Sequence, residues 1–414
     1  MAIISAWVAV FIPGHLYGWL IERSYVLLLV MVAIASLYTS RTSPRNFIGR
    51  GNNIILFGLL VITILYVTST IVTATTSSSS ITIRDLLDLL RYMAVGAVFI
   101  IMGNADADRL RSTVDKLIFV SLTFSLMILF LYIVDVPVMS DIAHWLYQDT
   151  KTAISFPRWV RLSAPFENPN FLAFYAVLCL AYSLFFTYGK RKYLIATLAL
   201  IVLVATGSRS GWVSTFMLFF GLLASITYKI FSRNPSILRK DARFLIVLVF
   251  LISCLLWLLY PYFLESIRVQ MVINALEDGG ITYERNVAGR IDMFVEALKL
   301  FSQRPIFGWG PLKGGGLDVI DNQYLLVLAR QGVVGFAFLT GVILYVFNGA
   351  VKSMHTRTEK YGVIFMLLAV MVMLMTGAFF NNFRLFVLFM FFVVASTGQR
   401  KRSGPRAVIV QHAL

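Results

Sequence analysis

Long, uninterrupted apolar runs recur along the whole chain, and that pattern excludes most folds. Stretches such as YVLLLVMVAIASLY (25–38) and FLIVLVFLISCLLWLLY (244–260) carry no charge, and they approach the ~20 residues of helix that cross ~30 Å of hydrocarbon. The runs are continuous where a transmembrane barrel would alternate apolar and polar residues, so strands are not expected. Only 14% of the 414 residues are charged and 59% are hydrophobic, against the quarter or so of charged residues usual in a soluble domain. The sequence therefore predicts an all-α, polytopic membrane protein forming one integral membrane domain over residues 1–414, with membrane lipids as constant neighbours.

A net charge of +16 would suggest a nucleic-acid partner in a soluble protein, but its placement here argues for another use, and no nucleic acid is expected. Basic residues gather in short connections at 40–51, 106–116, 189–192, 228–243 and 352–360, and in the tail at 399–406. By the positive-inside rule all six should be cytoplasmic, which requires an even number of spans between each pair. Spans at 2–20, 24–39, 54–75, 91–103, 117–135, 168–188, 193–206, 211–230, 244–263, 324–348, 362–380 and 385–398 satisfy this. They give about twelve helices with both termini cytoplasmic. The first segment, MAIISAWVAVFIPGHLYGWL, lacks a positive leader and a cleavage pattern, so it is read as a span, kinked at Pro13 and Gly14. Parity also divides 193–230 into two short spans joined by TGSRSG (206–211), in preference to one long kinked helix.

The connection over 264–323 differs from the others. It carries eight acidic residues against six basic ones, so it is not held inside by Lys and Arg, and it is expected as a large extracytoplasmic loop. SIRVQMVINALED and GRIDMFVEALKLFSQ within it show apolar residues at helical spacing, which predicts amphipathic helices lying at the membrane surface or over a cavity. Cys179 and Cys254 lie in apolar runs and read as small buried hydrophobes rather than a disulfide or metal site. No metal site and no cofactor are expected.

The expected outer connections hold charged and polar residues that topology does not require: Arg209 in GSRSG; Arg285 and Arg290 in YERNVAGRIDMF; Asp321, Asn322 and Tyr324 in DNQYLLVLARQG; and Arg158, Arg161, Glu167 and Asn170 in RWVRLSAPFENPNF. One arginine at a helix end can simply snorkel to lipid phosphates. Several on the face that the positive-inside bias depletes suggest a held anion, because guanidinium grips phosphate oxygens bidentately and keeps its charge. Trp159, Trp309 and Tyr324 suit sugar stacking, although aromatic residues also populate the membrane interface.

The ordered set TGSRSGWV, GRIDMFVEALKLFSQRPIFGWG and DNQYLLVLARQGVVGF resembles the bacterial O-antigen ligase and O-antigen polymerase superfamily, which are integral membrane glycosyltransferases of the GT-C type. The likeness is best over residues 160–340. It implies an inverting, metal-independent enzyme of the bacterial inner membrane whose site faces the periplasm. It implies also an undecaprenyl-diphosphate-linked oligosaccharide as donor and a chain-length regulator protein as a partner. Carried over by position, the two family arginines fall on Arg209 and Arg290, which the resemblance assigns to the donor diphosphate. The family's His–Asn pair falls on Asp321 and Asn322. The four histidines are His15, His144, His355 and His412, none in the long loop, so a histidine base does not transfer. Asp321 remains as a base, as an orienter of the acceptor, or as an arginine's ion-pair partner, since two arginines would depress its pKa unless burial opposes them. The missing histidine favours polymerisation over ligation to lipid A–core. A lipid-glycan transporter is a more distant alternative, disfavoured because the expected spans are nearly free of charge.

Overall fold

The computed structural model describes residues 107–134, 161–231 apart from 167 and 188, 285–310, and 320–397 apart from 355, with several helical positions between 63 and 75. The spans expected at 2–20, 24–39, 91–103 and 244–263, most of 54–75, the SIRVQMVINALED helix and all four histidines lie outside the described residues. Among the described residues every regular element is helical. The helices are α1 (Ala107–Ile133), α2 (Pro169–Phe186), α3 (Lys190–Thr206), α4 (Arg209–Phe231), α5 (Arg285–Gln303), α6 (Gln323–Ser353), α7 (Arg357–Leu374) and α8 (Phe383–Thr397), with a 3-10 turn at Phe379–Asn381. Four of them, over Arg111–Leu131, Pro169–Phe186, Arg209–Tyr228 and Gln323–Lys352, are long and apolar enough to cross a membrane.

α2 is the central rod. It is apolar nearly all round and buried from Leu172 to Phe186, as a helix enclosed by other helices must be. Asn168 caps its first turn, its side chain accepting from the Asn170 N–H, and Pro169 follows at the first helical position, where its missing N–H costs nothing. Tyr175 and Tyr182 turn their rings to Phe392 of α8, and the Tyr175 hydroxyl pairs with Ser121 of α1 at 2.7 Å. α4 and α7 approach closely where Gly221 meets Phe365, a place where even a Cβ would lie 2.4 Å from the ring. Small residues at such crossings are what lets membrane helices pack.

α3 and α4 are two separate helices rather than one long kinked helix, and of the two α4 is long and apolar enough to cross a membrane. Gly207 ends α3 in the left-handed conformation (φ 57°), the usual role of glycine just past a helix. The Ser208 hydroxyl then accepts from the Gly211 N–H at 3.4 Å and caps α4. α1 begins ten residues before the expected span. The basic stretch read as a connection is helical because no Gly or Pro interrupts ADRLRSTVDK, and Arg111 reaches back to the last carbonyls of α8, Ala395 and Ser396.

Side-chain bonds fix which helix ends meet. Ser214 donates to the Ala369 carbonyl and Ser225 to the Thr358 hydroxyl, so α4 and α7 are antiparallel. Tyr324 donates to the Met371 carbonyl, and Leu162 N–H to the Ala205 carbonyl at 2.9 Å. The starts of α2, α4, α6 and α8 and the ends of α3 and α7 therefore share one end of the bundle, the Asp321 end. Thr187, Lys190, Tyr228 and Arg357 mark the opposite, Arg357 end.

The span expected at 324–348 is broken. Gly332 has φ 65° and ψ −169° inside α6, a conformation open almost only to glycine. The rings of Tyr324 and Phe336 stand 6.3 Å apart, whereas twelve residues of straight helix would separate their Cα atoms by about 18 Å. The helix folds on itself at the break. Its first arm, 323–331, bends over the bundle end. The part after the break, 333–352, is then the length that crosses ~30 Å.

Candidate active site

Backbone groups freed by the break in α6 are taken up by the chain that follows α5. Trp309 N–H donates to the Ala329 carbonyl at 2.9 Å and Gly310 N–H to Arg330 at 2.8 Å, while the Val333 N–H donates to Pro305 at 2.8 Å. Helical residues near 70 complete the junction. Ser69 donates to the Gly308 and Arg330 carbonyls, and Thr73 to the Trp309 carbonyl at 2.6 Å. Arg304 donates to the Thr73 hydroxyl and lies 4.0 Å over the Trp309 ring, and the Trp309 indole donates to the Leu300 carbonyl. Trp309, a sugar-stacking candidate by sequence, is thus an anchor of the fold. This junction ties α5 to the first arm of α6.

That tie brings two expected site residues together. Arg290 Nη2 lies 3.9 Å from Asp321 Oδ2, with 39% and 56% of the two side chains exposed. Arg290 shares the inward side of α5 with Ala297, which packs with Ile320, Leu326 and Ala329. The surroundings of Asp321 desolvate its carboxyl and raise its pKa, and this outweighs the lowering by the Arg290 guanidinium. A raised carboxylate pKa makes a better proton acceptor than a free aspartate.

Arg209 is the exposed first residue of α4. An anion placed there would meet both the positive end of the helix dipole and the guanidinium. Residues 369–371 of α7 touch both the first turns of α4 and Tyr324, so Arg209 stands at the same bundle end as Arg290 and Asp321.

The other expected residues divide. Arg161 donates from Nε to the Thr206 carbonyl at 2.8 Å and from Nη2 to Asn170 Oδ1 at 3.1 Å, bracing the start of α2 against the end of α3. Asn322 caps α6, its Oδ1 accepting from the Tyr324 and Leu325 N–H groups, so that oxygen is committed to the helix. The Tyr324 hydroxyl is bound to α7. Arg285 is the first residue of α5. Arg158, Trp159 and Glu167 lie outside the described residues.

Two further arginines at this end were not singled out by sequence. Arg384, 4% exposed, opens α8 with its guanidinium 5.7 Å from the Phe166 ring. Arg330, also 4% exposed, sits in the last turn before the break. A lone charge inside LLVLARQG was the available signal, since a charge within an apolar helix is costly and marks function or a special partner. Among the described residues no three His, Cys, Asp or Glu side chains converge as metal ligands would.

Fold and site together describe a helical membrane protein whose bundle is roofed, at one end, by a braced layer carrying arginines and an acid. Residues 194–340 match the family model described as O-antigen ligase, a stretch that holds Arg209, Arg290 and Asp321. The match supports the O-antigen ligase and polymerase superfamily and does not separate its members. No curated protein matches the chain.

Proposed function

We propose that the protein is an O-antigen polymerase of the bacterial inner membrane. It transfers the growing glycan from undecaprenyl diphosphate to the next undecaprenyl-diphosphate-linked repeat unit, on the periplasmic side and with both termini cytoplasmic. The observation that carries this reading is the Arg290–Asp321 contact, at 3.9 Å, on the bundle end that also bears Arg209. As the anomeric C–O bond of the donor stretches, negative charge grows on the leaving diphosphate. Arg209 and Arg290 bind and neutralise it there, as charges fixed in advance around the position where the negative charge develops. Asp321 takes the proton from the acceptor hydroxyl as that oxygen attacks the opposite face of the sugar, which inverts the anomeric centre. The proton moves to Asp321 Oδ and the electron pair of the broken bond leaves with the diphosphate. The residues require no cofactor for these steps. A chain-length regulator is a fitting partner for such an enzyme.

A second reading has its own support, since the matching family model is described as a ligase. In that reading the acceptor is lipid A–core. The histidine proposed as base in the ligases falls, by resemblance, on Asp321 in this chain, which favours polymerisation.

Purified protein with lipid-linked repeat units alone should yield a ladder of longer lipid-linked glycans. Product formed only on adding lipid A–core would replace polymerase with ligase, and no new glycosidic bond under either condition would remove both in favour of a transporter. Asp321→Asn should abolish elongation; a near-normal rate would remove the base role.

A further inference from the structure

α5 has three faces, and only two are accounted for by the fold and the proposed site. The inward face carries Arg290 and Ala297 against Leu326 and Ala329. A second face carries Asp292, Glu296 and Lys299, all exposed, as expected of a side turned to water. The third carries Ile291, Val295 and Leu298, also exposed, with Val295 at 60%. These three fall at i, i+4 and i+7, one stripe along the helix, and the chain continues beyond α5 into exposed Ile306 and Phe307.

We infer that this third face is seated in the outer boundary of the lipid bilayer, so that α5 is an interfacial helix lying on the membrane as well as a roof over the bundle. Continuity with the membrane-facing surface argues for lipid as the occupant. The Val333 and Val334 N–H groups donate to the Pro305 and Ile306 carbonyls, which fixes the 305–307 chain against the first residues of the spanning part of α6. Val333 is itself 50% exposed, and Phe338 and Leu344 continue that apolar exposure down the span. The stripe on α5, the 305–307 turn and the outer face of α6 thus form one apolar sequence of side chains that starts where α6 enters the hydrocarbon. An amphipathic helix with a separate charged face settles at this depth, its apolar stripe at the acyl boundary and its acids and lysine among the head groups. Seating α5 there would hold Arg290 at the level of lipid phosphates, a consequence that rests on the proposed function.

The test uses full-length protein with Cys179 and Cys254 replaced by alanine and single cysteines introduced as Asp292→Cys, Val295→Cys, Glu296→Cys or Leu298→Cys. Each is labelled with an environment-sensitive dye and reconstituted into phosphatidylethanolamine–phosphatidylglycerol vesicles. Nitroxide-bearing lipid should quench the labels at 295 and 298 several-fold more than those at 292 and 296, and aqueous iodide should show the reverse order. Iodide reaching 295 and 298 as readily as 292 and 296 would place the stripe in water and overturn the inference. Protection of 295 and 298 from both quenchers would overturn it in favour of a protein cover, and protection that fades as protein is diluted in lipid would identify a second copy as that cover. The labels are read without substrate. A chain that seats in this way but elongates no glycan loses only the proposed function.

Discussion

Basic residues at the two ends of the bundle are used differently. At the Arg357 end most lie on the surface, Arg111 being half-buried on the Ala395 and Ser396 carbonyls. Lys190 and Arg191 are exposed at the start of α3, and Arg357 is exposed with its guanidinium 4.6 Å over the Tyr228 ring. At the Asp321 end Arg209 is exposed, but the others are drawn against the protein. Arg161 bridges two helices, Arg304 bonds Thr73, Arg290 meets Asp321, and Arg330 and Arg384 are almost fully buried. Charge that only orients a chain in a membrane needs no fixed geometry and stays hydrated. Burying a guanidinium costs several kcal/mol of desolvation unless its partners offset it. The contrast teaches that the arginines of the Asp321 end have been placed, and that what they are placed around is the roof built by α5 and the broken α6.

The change with the largest expected effect removes the roof. At Gly332 a Cβ would lie 2.1 Å from the Ile306 carbonyl oxygen, and a non-glycine residue in that backbone region costs about 1–3 kcal/mol in strain alone. Gly332→Ala should displace the 305–310 chain, lower the melting temperature in detergent and abolish elongation, because Arg290 loses its place beside Asp321. Unchanged melting and activity would mean that the break does not hold the roof. At the other end, Gly189 has φ 72° but open space around it, so Gly189→Ala should show the strain and not the loss of activity.

Next in size is the loss of the anion-binding charge. Arg209→Ala and Arg290→Ala should each slow elongation by about 10²–10³-fold, the range seen when one preorganised transition-state donor is removed, with membrane insertion intact. Lys190→Ala and Arg357→Ala should leave the rate unchanged. Equal losses from both sets, measured on the same ladder assay, would erase the distinction between the two ends. Normal rates from both Arg209→Ala and Arg290→Ala would remove the diphosphate assignment.

A smaller effect is expected in the pH profile. Asp321 must be ionised to take a proton, and partial desolvation raises its pKa against the lowering by Arg290. Elongation should therefore fall as pH drops through that raised value. Arg290→Ala deletes the lowering influence, so the acid limb of its residual activity should move to higher pH, whereas Arg290→Lys should hold the limb near its original position. An acid limb that stays put in Arg290→Ala would mean that the two groups do not interact in the working enzyme.

How much of this was legible in the sequence follows from the range of each interaction. The division of 193–230 into α3 and α4 was readable because the turn chemistry of TGSRSG and the parity of basic loops are local or additive signals. The amphipathic character of α5 was readable from its period. The break in α6 was not. Apart from Arg330 and Gln331, Gly332 lies in a run long and apolar enough for one span, and its φ is set by chain packed from 305–310. Bonds such as Ser69 to Arg330 or Arg304 to Thr73 join residues more than 200 positions apart, and no local pattern encodes them. Of the candidate site, Arg290 and Asp321 were found by motif order. Arg161 and Asn322 were found as polar residues at helix mouths, but the structure gives the Arg161 guanidinium and the Asn322 side-chain oxygen bracing and capping partners that chemistry-based selection could not distinguish from ligand contacts.

The smallest expected effect tests whether the Arg357 end is only a solvated surface. Arg357 opens α7 beside a capping box in which the Thr356 hydroxyl accepts from the Glu359 N–H and Glu359 accepts from the Thr356 N–H. A cation at the first helical position opposes the dipole, and its contact with Tyr228 is worth about 0.5–1 kcal/mol at an exposed site. The two influences nearly cancel, so Arg357→Gln should change the melting temperature little, while Thr356→Ala, which deletes a cap worth about 0.5–2 kcal/mol, should lower it measurably. Neither substitution should alter elongation. A larger loss from Arg357→Gln than from Thr356→Ala would show that this arginine too has been placed, and the two ends would differ in degree and not in kind.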